Sequence, residues 1–138
     1  MKEFKYERKV MYYETDMMGI VHHSNYIKWF EEARCEYFDI KGIPYKTFED
    51  NGILIPVLGV HCEYKSPSIY GDIVSIVVKY KDFSGVRMAV SYTVLNKVTG
   101  MLIATGETKH CFTDKNMKPI SLKKANLKIY EKLMDILK

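Results

Sequence analysis

The chain has 138 residues, 47% hydrophobic and 28% charged, with a formal net charge of +4. This is one domain, residues 1–138, of ordinary globular composition, which excludes a disordered chain and a miniprotein that needs staples. The positive charge is mild and densest at Lys123–Lys124 with Lys118 and Lys128; it lacks the basic stripe of a nucleic-acid reader, though it suits an anionic ligand.

The three cysteines, Cys35, Cys62 and Cys111, are odd in number and show no CxxC spacing. A disulfide framework and a structural zinc site are both disfavoured. The N-terminal MKEFKYERKV has no apolar core of a signal peptide, and no run approaches the ~18 apolar residues of a membrane span. A reducing, cytoplasmic location is expected. Eleven tyrosines supply amphipathic surface for strands and subunit interfaces.

In chain order, residues 4–13 alternate well enough for a strand, broken at Thr15–Gly19. A helix is predicted over 24–40: Tyr26, Phe30, Ala33 and Tyr37 share one face, flanked by Ile27, Arg34 and Phe38, with Lys28, Glu31 and Glu32 opposite. Ser24 or Asn25 is positioned to cap its first turn, and Gly42 and Pro44 end it. Residues 44–51 allow a short second helix. Strands are predicted at 53–65, 72–83, 86–97 and 102–113, separated by Ser66–Pro67 with Gly71, by Ser84–Gly85 and by Thr99–Gly100. The short connections after residue 71 predict an antiparallel meander. Residues 121–137 close the chain as a helix with Leu122, Ala125, Ile129, Leu133 and Ile136 on one side. The fold class is α+β, with the long helix packed on an antiparallel sheet.

The chemistry concentrates between Tyr13 and Tyr26. A strand ends, Asp16 supplies a carboxylate, Gly19 turns the chain, and a helix begins after His22–His23. A helix start carries unpaired N–H groups and a positive dipole end, able to hold an oxyanion. A carboxylate beside a carbonyl held there is suited to acyl transfer. A thioester is electrophilic enough for a carboxylate to suffice, and no G-x-S-x-G elbow is present. On local chemistry alone, Asp16 also reads as a turn or capping aspartate, and the histidine pair as surface or structural residues. A metal site from Asp16, His22 and His23 is disfavoured, because no H-x-x-x-H or H-E-x-x-H spacing is present.

The run Tyr12-Tyr13-Glu14-Thr15-Asp16-x-x-Gly19-Ile20-Val21-x-His23-x-Asn25-Tyr26, followed by Lys28-Trp29-Phe30-Glu31, resembles the hotdog-fold 4-hydroxybenzoyl-CoA thioesterase family, and within it the YbgC-type acyl-CoA thioesterases. Tyr64-Lys65-Ser66-Pro67-Ser68-Ile69-Tyr70-Gly71-Asp72 resembles the family's Y-x-x-P-x-x-x-G-D stretch. The resemblance spans nearly the whole chain. It implies a five-stranded antiparallel sheet wrapped around a long central helix, with an added C-terminal helix. It implies hydrolysis of a short-chain or aromatic acyl-CoA, without cofactor or metal, by a homodimer or homotetramer whose active sites lie at the subunit interface.

By the same resemblance Asp16 is the catalytic nucleophile or general base, and the His23 backbone N–H is the oxyanion donor. Gly19, Val21, His22, Asn25 and Tyr26 line or support the substrate site. Glu14 occupies an ordinary acidic position. His22 replaces an aromatic residue common in relatives, which alters the acyl pocket. The turn Asp82–Arg87 carries only Arg87 as a candidate for the coenzyme A phosphates, with Lys79 and Lys81 nearby. Two other readings fit the fold: an acyl-CoA hydratase or dehydratase using Asp16 with His23, and a non-catalytic acyl-CoA-binding module. The central helix lacks the acid and histidine that the hydratases place on it.

Overall fold

A computed structural model describes residues 3–138. Strand β1 (Glu3–Lys9) leads through a short 3-10 turn (Tyr12–Glu14) to helix α1 (Ser24–Ile40) and helix α2 (Tyr45–Asp50). Strands β2 (Val57–Tyr64), β3 (Ile73–Lys81), β4 (Arg87–Asn96) and β5 (Leu102–Cys111) follow, then helices α3 (Leu122–Ala125) and α4 (Leu127–Leu137). The sheet is antiparallel, in the order β1-β3-β4-β5-β2. The meander β3–β5 is therefore its centre, and β1 and β2 are its edges.

Helix α1 lies on the sheet because both surfaces are apolar at matching periods. Tyr26, Phe30, Ala33 and Tyr37 are buried as the helical spacing predicts, joined by Trp29 and Phe38. Opposite them stand Val74, Ile76, Val78 and Tyr80 of β3 and Met88, Val90, Tyr92 and Val94 of β4, each set spaced by two residues. The Phe30 ring stacks on Tyr92 with centroids 4.2 Å apart and planes 9° from parallel. Tyr92 pairs across the sheet with Gly106. A Cβ on Gly106 would sit 2.5 Å from the Phe30 ring, so the missing side chain makes room for the helix.

A buried polar chain crosses the same layer. Arg34 Nη1 donates to the Tyr92 hydroxyl at 2.9 Å, which lies 2.6 Å from Thr108 Oγ1, itself 2.7 Å from His110 Nε2. A guanidinium only donates. The Tyr92 oxygen therefore accepts from Arg34 and shares a single proton with Thr108 Oγ1. Burial, and then the nearby Arg34 charge, push the His110 pKa down to about 4, keeping the ring neutral.

Three elements depart from expectation. β1 ends at Lys9 rather than continuing to residue 13, because the backbone turns into the 3-10 segment that feeds Glu14 inward. β2 begins at Val57; residue 54 joins Thr113 only through an isolated bridge. The C-terminal helix breaks at Asn126, whose extended backbone and side-chain acceptor for the Ile129 N–H start a second helix. That break leaves Ala125 exposed and puts Leu137 on the buried stripe.

Gly106→Ala should lower stability by about 1–3 kcal/mol through overpacking against Phe30, read as an earlier denaturant midpoint. Between pH 6.5 and about 4 the unfolded chain protonates His110 while the folded chain does not. Stability therefore falls as pH falls through that window, by up to about 3 kcal/mol for this group. The difference in stability between wild type and His110→Gln should accordingly vary with pH across that window and be constant above it, as measured by denaturant unfolding at a series of pH values.

Candidate functional site

The segment between β1 and α1 is closed by local hydrogen bonds. Thr15 and Val21 bridge, the Asp16 N–H donates to the Ile20 carbonyl at 2.9 Å, and the Gly19 N–H donates to the Asp16 carbonyl at 2.9 Å. Gly19 has φ +78°, a left-handed conformation that costs a non-glycine residue. The Asp16 side chain bends back, and its Oδ1 accepts the Met18 N–H at 2.8 Å. Its Oδ2 has no partner among the described residues. The carboxylate is half-buried, with one oxygen anchored and one available.

His23 is the N-cap of α1. The helix start is satisfied in an unexpected way. Neither Ser24 nor Asn25 caps it; the Ser24 N–H donates to Nδ1 of His22 at 3.2 Å, and the Ser24 hydroxyl lies 2.8 Å from the same atom. The imidazole therefore does the work of a capping carboxamide, as an accepting nitrogen two residues upstream. The His22 N–H is taken by the Glu14 carbonyl at 2.8 Å and the Asn25 N–H by the His22 carbonyl at 3.0 Å. The His23 N–H donates to no described atom, and His23 lines the same pocket as Asp16.

That pocket has a volume of about 320 Å³. The Asp16 loop contributes Asp16, Met18, Ile20 and Val21; the helix contributes His23 and Tyr26; the end of β2 and the turn after it contribute Tyr64, Lys65, Ser66 and Pro67. The two sequence motifs thus meet in one place. The Tyr64 hydroxyl donates to the His23 carbonyl at 3.2 Å, the Val21 N–H donates to the Ser68 carbonyl at 2.9 Å, and Tyr26 Oη lies 2.8 Å from Ser68 Oγ. Tyr26 and Tyr64 face each other at 5.5 Å and give the pocket an aromatic wall.

Of the residues expected at the site, Asp16, Val21, His23 and Tyr26 line the pocket. Gly19, His22 and Asn25 shape it from behind: a turn, a helix cap, and a side chain whose Nδ2 donates to the Glu14 carbonyl at 2.8 Å. Arg87 is not brought to it. It starts β4 opposite Cys111, while the pocket adjoins the far end of that ten-residue strand, roughly 30 Å away at strand rise. Sequence reasoning passed over Tyr64 and Lys65 as pocket residues, although both lie in the second motif. Among the described residues no three His, Cys, Asp or Glu side chains converge as metal ligands, and no helix is long and apolar enough to cross a membrane.

Glu14 was read as an ordinary acidic position and is instead buried at the base of the site. Its carboxylate accepts from Arg8 Nη1 at 2.7 Å, Arg8 Nη2 at 2.8 Å, the Met11 N–H at 2.8 Å and the Trp29 indole N–H at 2.8 Å. Burial alone raises its pKa; the hydrogen bonds from Trp29, Met11 and Arg8 outweigh burial and hold the carboxyl below the usual range.

Residues 10–133 match the family model described as the thioesterase-like superfamily. The chain belongs to the thioesterase-like superfamily. A crystal structure of an Aquifex aeolicus protein superposes on this family member with a TM-score of 0.85 at 38% identity, covering 98% of this chain and 99% of that one. A Staphylococcus aureus structure described as a DHNA-CoA thioesterase gives a TM-score of 0.91 at 31% identity, covering 99% and 91%. The Escherichia coli acyl-CoA thioester hydrolase YbgC is 23% identical over 122 residues, 88% of this chain and 91% of its own. The sheet order and the long central helix of this thioesterase-family chain are those of the hotdog fold, as the resemblance implied.

His22→Ala should remove the acceptor of the Ser24 N–H and cost about 1 kcal/mol, the usual loss for a helix cap. Ser24→Ala should cost clearly less, since the backbone bond to Nδ1 survives. Thermal unfolding of the two variants side by side checks this.

Proposed function

We propose that this protein hydrolyses the thioester of acyl-CoA, releasing the free acid and CoA. The observation that carries the reading is that Asp16, with one carboxylate oxygen unpaired, and His23, with an undonated backbone N–H, line one pocket at a helix start. In this reading the thioester carbonyl accepts from the His23 N–H, where the helix dipole favours negative charge. The free Asp16 Oδ2 then acts in one of two ways. As nucleophile it adds to the carbonyl carbon, the C–S bond breaks, CoA leaves as thiolate, and water hydrolyses the resulting anhydride. As general base it takes a proton from water while that water adds to the same carbon, and the tetrahedral intermediate then collapses with cleavage of the C–S bond and loss of CoA as thiolate. Both routes use the same two groups, and both suit a thiolate leaving group that needs little help.

The aromatic wall of Tyr26 and Tyr64 and the apolar Met18, Ile20 and Val21 support a short or aromatic acyl group. The DHNA-CoA in the name of the Staphylococcus aureus neighbour is in keeping with a CoA thioester substrate. Lys65 at the pocket, rather than Arg87 of the same chain, is the cation available to a CoA phosphate.

A homo-oligomer with active sites at the subunit interface is part of the proposal. Edge strand β2 leaves Val57, Leu58, Val60 and Tyr64 between 44% and 51% exposed, an apolar edge that pairing with a second copy would cover. Antiparallel pairing of β2 with its copy would set one subunit's Tyr64 end beside the other's Val57 end, completing the pocket from two chains.

Asp16→Asn should cut thiol release from acyl-CoA by about 10²–10⁴-fold without loss of fold. A panel of acyl-CoAs followed with a thiol reagent measures it. A variant as active as wild type contradicts the mechanism. Loss of crotonyl-CoA absorbance without thiol release would point instead to a hydratase, and saturable binding without turnover to a binding module.

A further inference from the structure

We propose that Glu14 is the positioning residue of the site, setting the separation of the Asp16 carboxylate and the His23 N–H through contacts on both its ends. The kinetic part of this proposal rests on the thioesterase reading; the structural part stands without it.

The argument follows from where the bonds of Glu14 go. Its carboxylate is shared by three pieces of the fold: Arg8 on β1, the Met11 N–H at the entrance to the 3-10 turn, and the Trp29 indole in the second turn of α1. Its carbonyl accepts the His22 N–H and the Asn25 Nδ2–H, one residue before and two residues after His23. Asp16 lies two residues beyond Glu14 along the chain. The two groups of the proposed chemistry are thus tied to one residue, Asp16 covalently and His23 by flanking hydrogen bonds.

The cage around the carboxylate is stiff. The Arg8 fork binds it bidentately, with the guanidinium 4.9 Å from the Trp29 ring centroid and 3.5 Å from Glu32 Oε1. Tyr6 Oη donates to the same Glu32 oxygen at 3.0 Å. Glu14 itself is 4% exposed and does not line the pocket, so it acts through the backbone and not on substrate. Loss of its charge would free Arg8 and Trp29 to turn away and let the 3-10 turn shift against the helix start. A displacement near 1 Å between reacting groups can cost about 100-fold in rate.

The test compares wild type with Glu14→Gln, which keeps the size and replaces an acceptor oxygen by a donor. The expected result is a kcat lowered by roughly 100-fold with KM within about threefold, the split that misalignment in the transition state produces. Two readouts need no activity. Trp29 is the sole tryptophan, so its indole N–H resonance is unambiguous, and it should move upfield when its charged acceptor is lost. Amide exchange at His22 should accelerate by about tenfold or more while β4 stays protected. Arg8→Lys, which keeps the charge but loses the fork, should shift all three readouts the same way by a smaller amount and covers the case in which Glu14→Gln fails to fold. Unchanged kcat with unchanged His22 exchange overturns the proposal, as does protection lost equally across β3–β5. If wild type releases no thiol from any acyl-CoA, the thioesterase reading fails, and the resonance and exchange readouts still decide the role of Glu14.

Discussion

The site depends on one buried carboxylate. Glu14 gathers four donors from β1, the 3-10 turn and α1, and so joins these three pieces at one point. A carboxylate taken out of water is costly unless it is fully paired, and removing one partner of such a pair typically costs about 3–5 kcal/mol. The same constraint makes the junction specific: only the backbone path that brings Glu14 under Trp29 satisfies the charge. Asp16 and His23 inherit their positions from that path.

The surrounding packing serves the junction. Phe30 stacks on Tyr92 because Gly106 leaves space beneath it, which draws α1 close to β4 and β5. The Arg34–Tyr92–Thr108–His110 chain links polar groups across that layer and ties the middle of the helix to the sheet. With the middle of α1 held in this way, its first turn meets the end of β2 and the turn after it, where Tyr64 reaches the His23 carbonyl and Ser68 meets Tyr26. There the turn after β2 supplies Tyr64 to Pro67, and Ser68 receives the Val21 N–H. The pocket is the gap left between a fixed helix start and a fixed strand end.

Much of this was legible in the residues. The period-two runs located the meander, the helical spacing located the buried face of α1, and the motif pointed to Asp16, His23 and Tyr26. What was not legible shares a cause: it depends on contacts between segments whose spacing carries no period. Glu14 meets Arg8 and Trp29, six and fifteen residues away, and nothing in the local pattern separates it from a surface acid. Trp29, three residues after Tyr26, shares the buried face by spacing, but nothing in that spacing says that its indole N–H meets a carboxylate. His22 caps the helix through an imidazole, a role that capping preferences assign to Ser, Thr, Asp or Asn. Arg87 lies away from the pocket of its own chain for a topological reason: the β3–β4 turn is at the opposite end of the sheet from the Asp16 loop. Gly106 offered a signal that could have been used, since a glycine inside a strand marks a close approach.

The central claim is geometric: a thioester carbonyl sits between the Asp16 carboxylate and the His23 N–H. A crystal structure of Asp16→Asn with an uncleaved aromatic acyl-CoA measures it directly. The account predicts the carbonyl oxygen at about 2.7–3.1 Å from the His23 nitrogen, with the residue-16 side chain facing the carbonyl carbon. An acyl-CoA bound with its thioester away from His23, or against another set of donors, would contradict it.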